Sequence, residues 1–254
     1  ELNCQPIGLF AHNPEPLPEH IATTAMEVTR SKADLGIVVD PDADRLALIS
    51  ENGSMFGEEY TLVAVADYVL QHQKGNTVSN LSSTAALRDI TLKHGGNYFA
   101  SAVGEVNVVA KMKEVNAVIG GEGNGGVIYP PLHYGRDALV GIALFLSHLA
   151  TWGKSCSSLR NKYPDYHISK NKIDLSRFAN INPDDVLDAL KKRYERYPTN
   201  IIDGLRIDFD QGWVHLRKSN TEPIIRIYAE SASETIATGM ANHIIGQIKE
   251  VINR

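Results

Sequence analysis

The 254-residue sequence is 43% hydrophobic, 22% charged and 7% aromatic, a composition that excludes disorder and collagen-like repeats. Its 25 Lys and Arg against 30 Asp and Glu leave a net charge of −5, so no global basic field exists to hold nucleic acid or an anionic membrane, and any phosphate site must be local. Cys4 and Cys156 stand far apart and outside any C-x-x-C or Cys/His cluster, which argues against a disulfide framework or zinc site and for a reducing, cytoplasmic setting.

The first pattern in the chain predicts a helix around Pro18 to Lys32, then strands at Leu35 to Val39 and Leu46 to Ser50. Between the strands runs Asp40-Pro41-Asp42-Ala43-Asp44-Arg45. Three hard oxygen ligands can converge there on one divalent cation, with Arg45 beside them as a phosphate-pairing charge. A solvated acidic turn is the bland alternative. An EF-hand reading fails, because loop position 6 needs Gly and holds Arg45, and the flanks read as strands.

A helix near Glu58 to Gln71, a strand at Thr77 to Leu81, a helix from Ser83 that stops at Gly95 and a strand at Ala117 to Gly120 come next. The following Gly121-Glu122-Gly123-Asn124-Gly125-Gly126 matches G-x-G-x-x-G, but Val127-Ile128-Tyr129-Pro130-Pro131 cannot open a helix. The dinucleotide fingerprint therefore lacks its positive helix end. What remains is a glycine-rich turn or a close-approach loop whose Glu122 carboxylate and Asn124 amide suit sugar hydroxyls. A helix from Arg136 to Trp152 closes this block, and its apolar run, Ala138 to Ala150, is shorter than the ~20 residues a bilayer requires.

From Gly153 to Asn180 the sequence is polar without clear periodicity, and a boundary is expected near Leu159. Asn182-Pro183-Asp184-Asp185 then supplies an N-cap, a first-turn Pro and two acids for a helix to Tyr197. Strands are expected at Leu205 to Phe209, Trp213 to Arg217 and Ile224 to Ala229, with a last helix from about Ser233. Arg217-Lys218-Ser219-Asn220-Thr221-Glu222-Pro223 joins two of these strands, and Arg226 follows. Guanidinium forks, hydroxyls, an amide and loop N–H groups are what a monophosphate dianion requires; a polar hairpin is the alternative. The fold expected is α/β: a partial domain over residues 1–52, a layered α/β domain with a mixed sheet over 53–158, and an α+β module with a mainly antiparallel sheet over 159–254.

Together the three loops resemble those of the α-D-phosphohexomutases, the family of phosphoglucomutase, phosphomannomutase and phosphoglucosamine mutase. Asp40 to Arg45 resembles the family's D-x-D-x-D-R metal loop, Gly121 to Gly126 its sugar-recognition loop, and Arg217 to Pro223 its R-x-S-N-T-E-P phosphate loop. The resemblance implies the C-terminal part of the family's second domain, then its third and fourth. It implies Mg²⁺ on Asp40, Asp42 and Asp44, and Arg45 against a catalytic phosphoserine. Glu122 and Asn124 would bind sugar hydroxyls, while Arg217, Ser219, Asn220, Thr221 and Arg226 would hold the phosphate not being transferred. The implied activity is an intramolecular phosphotransferase that interconverts hexose 6-phosphate and hexose 1-phosphate through hexose 1,6-bisphosphate.

The G-N-G-G form and Tyr134-Gly135-Arg136-Asp137 look most like the phosphoglucosamine mutase branch, with phosphomannomutase and phosphoglucomutase as alternatives. Gly126 stands where many relatives carry histidine, which leaves the general acid/base open; His133 is nearby, although a loop histidine is usually polar surface. The family's first domain, which bears the phosphoserine, is not matched. Ala11-His12-Asn13-Pro14 imitates part of the donor loop, but Phe10-Ala11 precedes the histidine where a serine belongs, and His12 reads as a surface residue. The chain is therefore expected to be a fragment, inactive without the N-terminal domain. A non-catalytic phosphosugar-binding module is the reading from a different class, and an Asp40-nucleophile phosphatase is disfavoured because the aspartates serve as ligands.

Overall fold

A computed structural model describes residues 1–176, 181–219 and 222–252. The chain divides into two compact units, Glu1–Tyr163 and Pro164–Arg254. Among the described residues no helix is long and apolar enough to cross a membrane.

In the first unit α1 (Ala22–Ser31) ends at Lys32 in the left-handed region, and a hairpin of β1 (Leu35–Val39) and β2 (Leu46–Ser50) follows. The pairing is antiparallel, from Leu35↔Ser50 to Val39↔Leu46, so both ends of the Asp40–Arg45 loop are held by the last pair. All of β2 is buried. A four-stranded sheet in the order β4-β3-β5-β6 forms the body of the unit. Here β3 (Asn76–Asn80) pairs in parallel with β4 (Tyr98–Ser101) and with β5 (Ala117–Glu122), while β5 pairs antiparallel with β6 (Gly126–Ile128). The sheet is mixed, as the alternation of strands and helices implied.

Around it lie α2 (Glu58–His72), α3 (Ala86–Lys93), α4 (Glu105–Glu114), α5 (Ala138–Trp152) and the short α6 (Cys156–Arg160). The apolar helix α5 is capped by Asp137, whose side chain accepts from Val140 N, and stopped by Gly153 at φ +66°. Phe145 of α5 packs edge-on against Phe56 at 5.0 Å. The end of the unit is tied to α2 by buried Asp67, which accepts from Lys162 Nζ at 2.6 Å and lies 2.7 Å from His94 Nε2. Burial opposes the charge of Asp67, but hydrogen bonds from His148, Lys162 and His94 outweigh it and hold the carboxyl far below the usual range.

In the second unit the five strands are antiparallel in the order β7-β11-β10-β9-β8. They are β7 (His167–Asp174), β8 (Thr199–Asn200), β9 (Leu205–Phe209), β10 (Gly212–Lys218) and β11 (Ile224–Ser231). One face carries Ile173, Ile225, Ile227, Leu216, Val214 and Ile207, buried with Val186 and Leu190 of α7 (Pro183–Arg193) and Ile244 and Ile248 of α8 (Glu234–Ile252). Asn182 caps α7 by accepting from Asp184 N at 3.1 Å. The helix stops at Arg193 rather than at Tyr197, because Tyr194 and Tyr197 turn onto the ring of Phe209, at 5.7 and 4.9 Å.

Candidate functional site

Parallel strands expose the loops at their carboxyl ends, and in open α/β sheets ligands bind there. Three such ends meet at Glu122. Its Oε1 accepts from Asn80 Nδ2, at the end of β3, at 2.9 Å and from Gly104 N, just beyond β4, at 3.1 Å. Its Oε2 accepts from Arg136 Nη1 at 2.9 Å. Of the roughly four lone-pair positions of a carboxylate, protein donors take three, so the buried Glu122 has room for one further donor.

The Asp40–Arg45 loop is wound around Asp40. Its Oδ1 accepts from the backbone N–H groups of Asp44 and Arg45, both at 3.1 Å, and Ala43 takes a positive φ of 55° to close the turn. Ala43 O in turn accepts from Ala138 N, which fastens the loop to the start of α5. Asp44 Oδ2 is bound by Arg136 Nη2, whereas Asp44 Oδ1 is buried without a hydrogen-bond partner among the described residues. Burial raises the Asp44 carboxyl above its usual range; Arg136 pulls it down and the adjacent Asp40 carboxylate pushes it up. Arg45 Nε lies 3.8 Å from Asp40 Oδ2 and 3.9 Å from Asp44 Oδ1, and Arg45 Nη1 lies 3.5 Å from Glu15 Oε1.

The three aspartates of this loop are not brought together in this structure. Among the described residues no three His, Cys, Asp or Glu side chains are grouped to hold a metal ion. Asp42 is exposed, Asp40 Oδ1 is engaged by backbone donors, and Asp44 Oδ2 by Arg136. The set nevertheless fits a hard cation: beside the Asp40 carboxylate, the buried Asp44 Oδ1 has no hydrogen-bond partner among the described residues, and Arg45 Nε, at 3.9 Å, is too far to supply one.

The Asp40–Arg45 and Gly121–Gly126 loops are fastened to each other. Leu46 N donates to Gly125 O at 3.1 Å, and a Cβ on Gly125, at φ +85°, would stand 2.3 Å from Leu46 O. At Gly126 a Cβ would lie 2.4 Å from Arg136 Cδ, so the arginine stem occupies the space that a side chain at 126 would need. Asn124 Oδ1 accepts from Gly126 N at 3.2 Å and closes the turn.

Arg136, which the sequence offers only within Tyr134-Gly135-Arg136-Asp137 and as the expected start of a helix, is the hub of this unit's site. Besides Asp44 and Glu122 it faces Glu105 at the start of α4, whose Oε2 is 3.4 Å from Arg136 Nε and whose Oε1 accepts from Arg136 N at 2.8 Å. No spacing signal could reveal it, because its partners come from three separate segments. His133 is exposed, with Nε2 3.0 Å from Asp137 Oδ2. Burial works against the charge of Asp137, but hydrogen bonds from His133 and from the backbone of α5 hold it below the usual range. His12 is exposed as well.

In the second unit Arg217, one residue before the end of β10, stands directly opposite Arg226 of β11. Ser219 N donates to Ile224 O at 3.0 Å and narrows the hairpin base, and Arg217 Nη1 lies 3.8 Å from Asp203 Oδ2. Lys218 points to the other face, where Nζ pairs with Asp184 at 2.7 Å. Asn220 and Thr221 lie outside the described residues.

Three domain models of one family match this chain: phosphoglucomutase/phosphomannomutase alpha/beta/alpha domain II over residues 1–53, domain III over 57–166 and the C-terminal domain over 175–247. A phosphoglucomutase/phosphomannomutase of Thermococcus kodakarensis is 37% identical over 235 residues, 92% of this chain and 51% of that protein. A phosphoglucosamine/phosphogalactosamine mutase of Sulfurisphaera tokodaii is 32% identical, over 98% of this chain and 54% of its own length. The chain thus spans about half the length of the curated relatives it matches. Among solved structures, a phosphoglucomutase/phosphomannomutase family protein of Burkholderia thailandensis superposes with a TM-score of 0.81 at 24% identity, over 95% of this chain and 52% of that one. The N-acetylphosphoglucosamine mutase of Aspergillus fumigatus, solved with GlcNAc-6P and magnesium, has a TM-score of 0.60 at 16% identity, over 84% and 48% of the two chains. These two likenesses bear on the fold.

Proposed function

The chain belongs to the phosphoglucomutase/phosphomannomutase family, and from that premise we propose that it supplies the metal, sugar and distal-phosphate loops of a phosphohexomutase that interconverts hexose 6-phosphate and hexose 1-phosphate. The segments proposed to carry them are residues 1–52, 53–158 and 159–254. The observation that carries the reading is that one arginine, Arg136, binds both Asp44 of the metal loop and Glu122 of the sugar loop. Loops meant only as solvated turns have no need of a shared, partly buried ion network, whose geometry is costly to leave unsatisfied.

In this reading Asp40, Asp42 and Asp44 hold Mg²⁺, which when bound neutralises charge on the transferring phosphoryl group. Arg45 faces the phosphorylated donor. Glu122, its position fixed by Asn80, Gly104 and Arg136, accepts one sugar hydroxyl in its remaining lone-pair position, and Asn124 offers its amide beside it. Arg217, Ser219, Asn220, Thr221 and Arg226 grip the phosphate that is not reacting, which orients the sugar for transfer. Hexosamine phosphates are the proposed substrates, supported by the Tyr134-Gly135-Arg136-Asp137 sequence and by relatives described as phosphoglucosamine mutases.

The test is calorimetric titration of the chain with the 6-phosphates and 1-phosphates of glucosamine, glucose and mannose. Hydrogen bonds to charged groups contribute on the order of 1.5–3 kcal/mol. Arg217→Ala should therefore weaken both isomers of the preferred sugar roughly 10- to 150-fold, and Arg217→Lys should recover only part, since an ammonium lacks the planar fork. Equal affinity of wild type and Arg217→Ala for both isomers would reduce the loop to a polar hairpin.

A further inference from the structure

The second unit holds a cation that the phosphate-loop motif does not contain. In the strand register Arg217 pairs with Arg226, and Arg226 pairs with Lys172 of β7. Directly paired residues of antiparallel strands share a face, with Cβ atoms of neighbours about 4.5–5.5 Å apart. The adjacent residues Leu216, Ile225 and Ile173 are buried in the core on the opposite face, which fixes the orientation of the row. Three cationic side chains thus stand side by side across three strands. Lys218, one residue beyond Arg217, goes to the other face and is taken by Asp184.

Like charges directly opposite each other destabilise a sheet, and here the arrangement occurs twice in succession. Among the described residues no carboxylate forms an ion pair with Arg226 or Lys172, and Arg217 has only Asp203 at 3.8 Å. The row also lies at the loop: beyond Lys172, Leu175 N donates to Pro223 O at 2.8 Å, so β7 runs alongside the exit of the Arg217–Pro223 segment. Lys172 itself is exposed. A row of three cations with a single carboxylate contact, at 3.8 Å, beside the base of the Arg217–Pro223 segment fits a doubly charged anion.

We propose that Lys172 is a third cation of the phosphate site, closing on a phosphate monoester dianion from β7 together with Arg217 and Arg226. The inference rests on the reading of Arg217 to Pro223 as the phosphate loop and extends that site to a third strand. Lys172 would add charge rather than geometry: its flexible ammonium suits long-range attraction and a single contact, while the arginines supply the forks.

The experiment titrates the whole chain, at low ionic strength, with glucosamine 6-phosphate and with inorganic phosphate, comparing Lys172→Ala, Lys172→Glu, Lys172→Arg, Arg217→Ala and the control Lys218→Ala. Lys172→Ala should weaken binding of both ligands roughly 3- to 10-fold and Lys172→Glu by more than ~10-fold, with Lys172→Arg within about 2-fold of wild type. The loss should shrink as salt is raised. Without ligand, Lys172→Ala should melt no lower than wild type, since a repulsion is removed, while gaining less from added phosphate. Wild-type affinity in both Lys172→Ala and Lys172→Glu, alongside weakened Arg217→Ala, would make Lys172 an ordinary surface charge and overturn the inference while leaving the phosphate loop standing. No binding by wild type, or none lost in Arg217→Ala, would remove the loop reading and the inference together.

Discussion

At the scale of single residues, the second unit carries a neutral histidine under the same sheet face as its cations. His215 is buried on β10, with Nε2 2.6 Å from Asp203 O. Burial pushes its pKa down from 6.5 to about 4, against the pull of Asp203 and helped by Arg206 and Arg217. A folded pKa below the unfolded one means that the unfolded chain takes up the proton first. The stability contribution is therefore complete above the unfolded value and is lost as pH falls from 6.5 towards 4. At about 1.36 kcal/mol per unit the loss is on the order of 3 kcal/mol. His215→Gln should flatten that slope. Urea unfolding followed by Trp213 fluorescence in a Trp152→Phe background measures it, and an unchanged slope between pH 6.5 and 4 would assign the acid sensitivity elsewhere.

At the scale of elements, local signals are followed by the structure wherever they are strong. The N-cap, first-turn Pro and acids of Asn182 to Asp185 announce α7, and its capping bond is present at 3.1 Å. Asn182→Ala should therefore cost about 1 kcal/mol, read as a lowered unfolding midpoint with an unchanged denaturant slope; a neutral result would mean that packing of Val186, Leu187 and Leu190 alone sets the helix start. The β1–β2 hairpin is legible as two short apolar runs, Leu-Gly-Ile-Val-Val and Leu-Ala-Leu-Ile-Ser, around a turn. What escaped had weak local codes. Helix α4 fully buries only Val108 and Met112 and leaves Val106 82% exposed, so its apolar stripe is narrow. Strand β7 lies at a sheet edge, reads His-Ile-Ser-Lys-Asn-Lys-Ile-Asp, and takes its register from β11 rather than from its own pattern. The three loops were readable from composition and order, but Arg136 and the inward, three-donor engagement of Glu122 depend on contacts between distant segments.

At the scale of the whole molecule, binding and turnover separate. The 254 residues contain the loops proposed for metal, sugar and distal phosphate, while phosphoryl transfer also requires a covalent donor placed against the sugar. The one segment that imitates a donor loop, Ala11 to Pro14, has Phe10-Ala11 ahead of its histidine, and His12 is exposed with Nδ1 on Asn13 O at 2.7 Å. A hydroxyl nucleophile is missing from that position. The chain by itself is therefore expected to bind hexosamine phosphates with the Arg217 and Lys172 dependence argued above, yet to leave glucosamine 6-phosphate and glucosamine 1-phosphate unconverted, even with Mg²⁺ and catalytic hexose 1,6-bisphosphate. Phosphorus NMR of an overnight incubation distinguishes the two isomers directly. Binding without a new resonance is the expected result. A 1-phosphate signal that grows with chain concentration and disappears in Asp44→Asn would show that this chain holds a donor of its own, and would move the search for the nucleophile to the hydroxyls around the Asp40 to Arg45 loop.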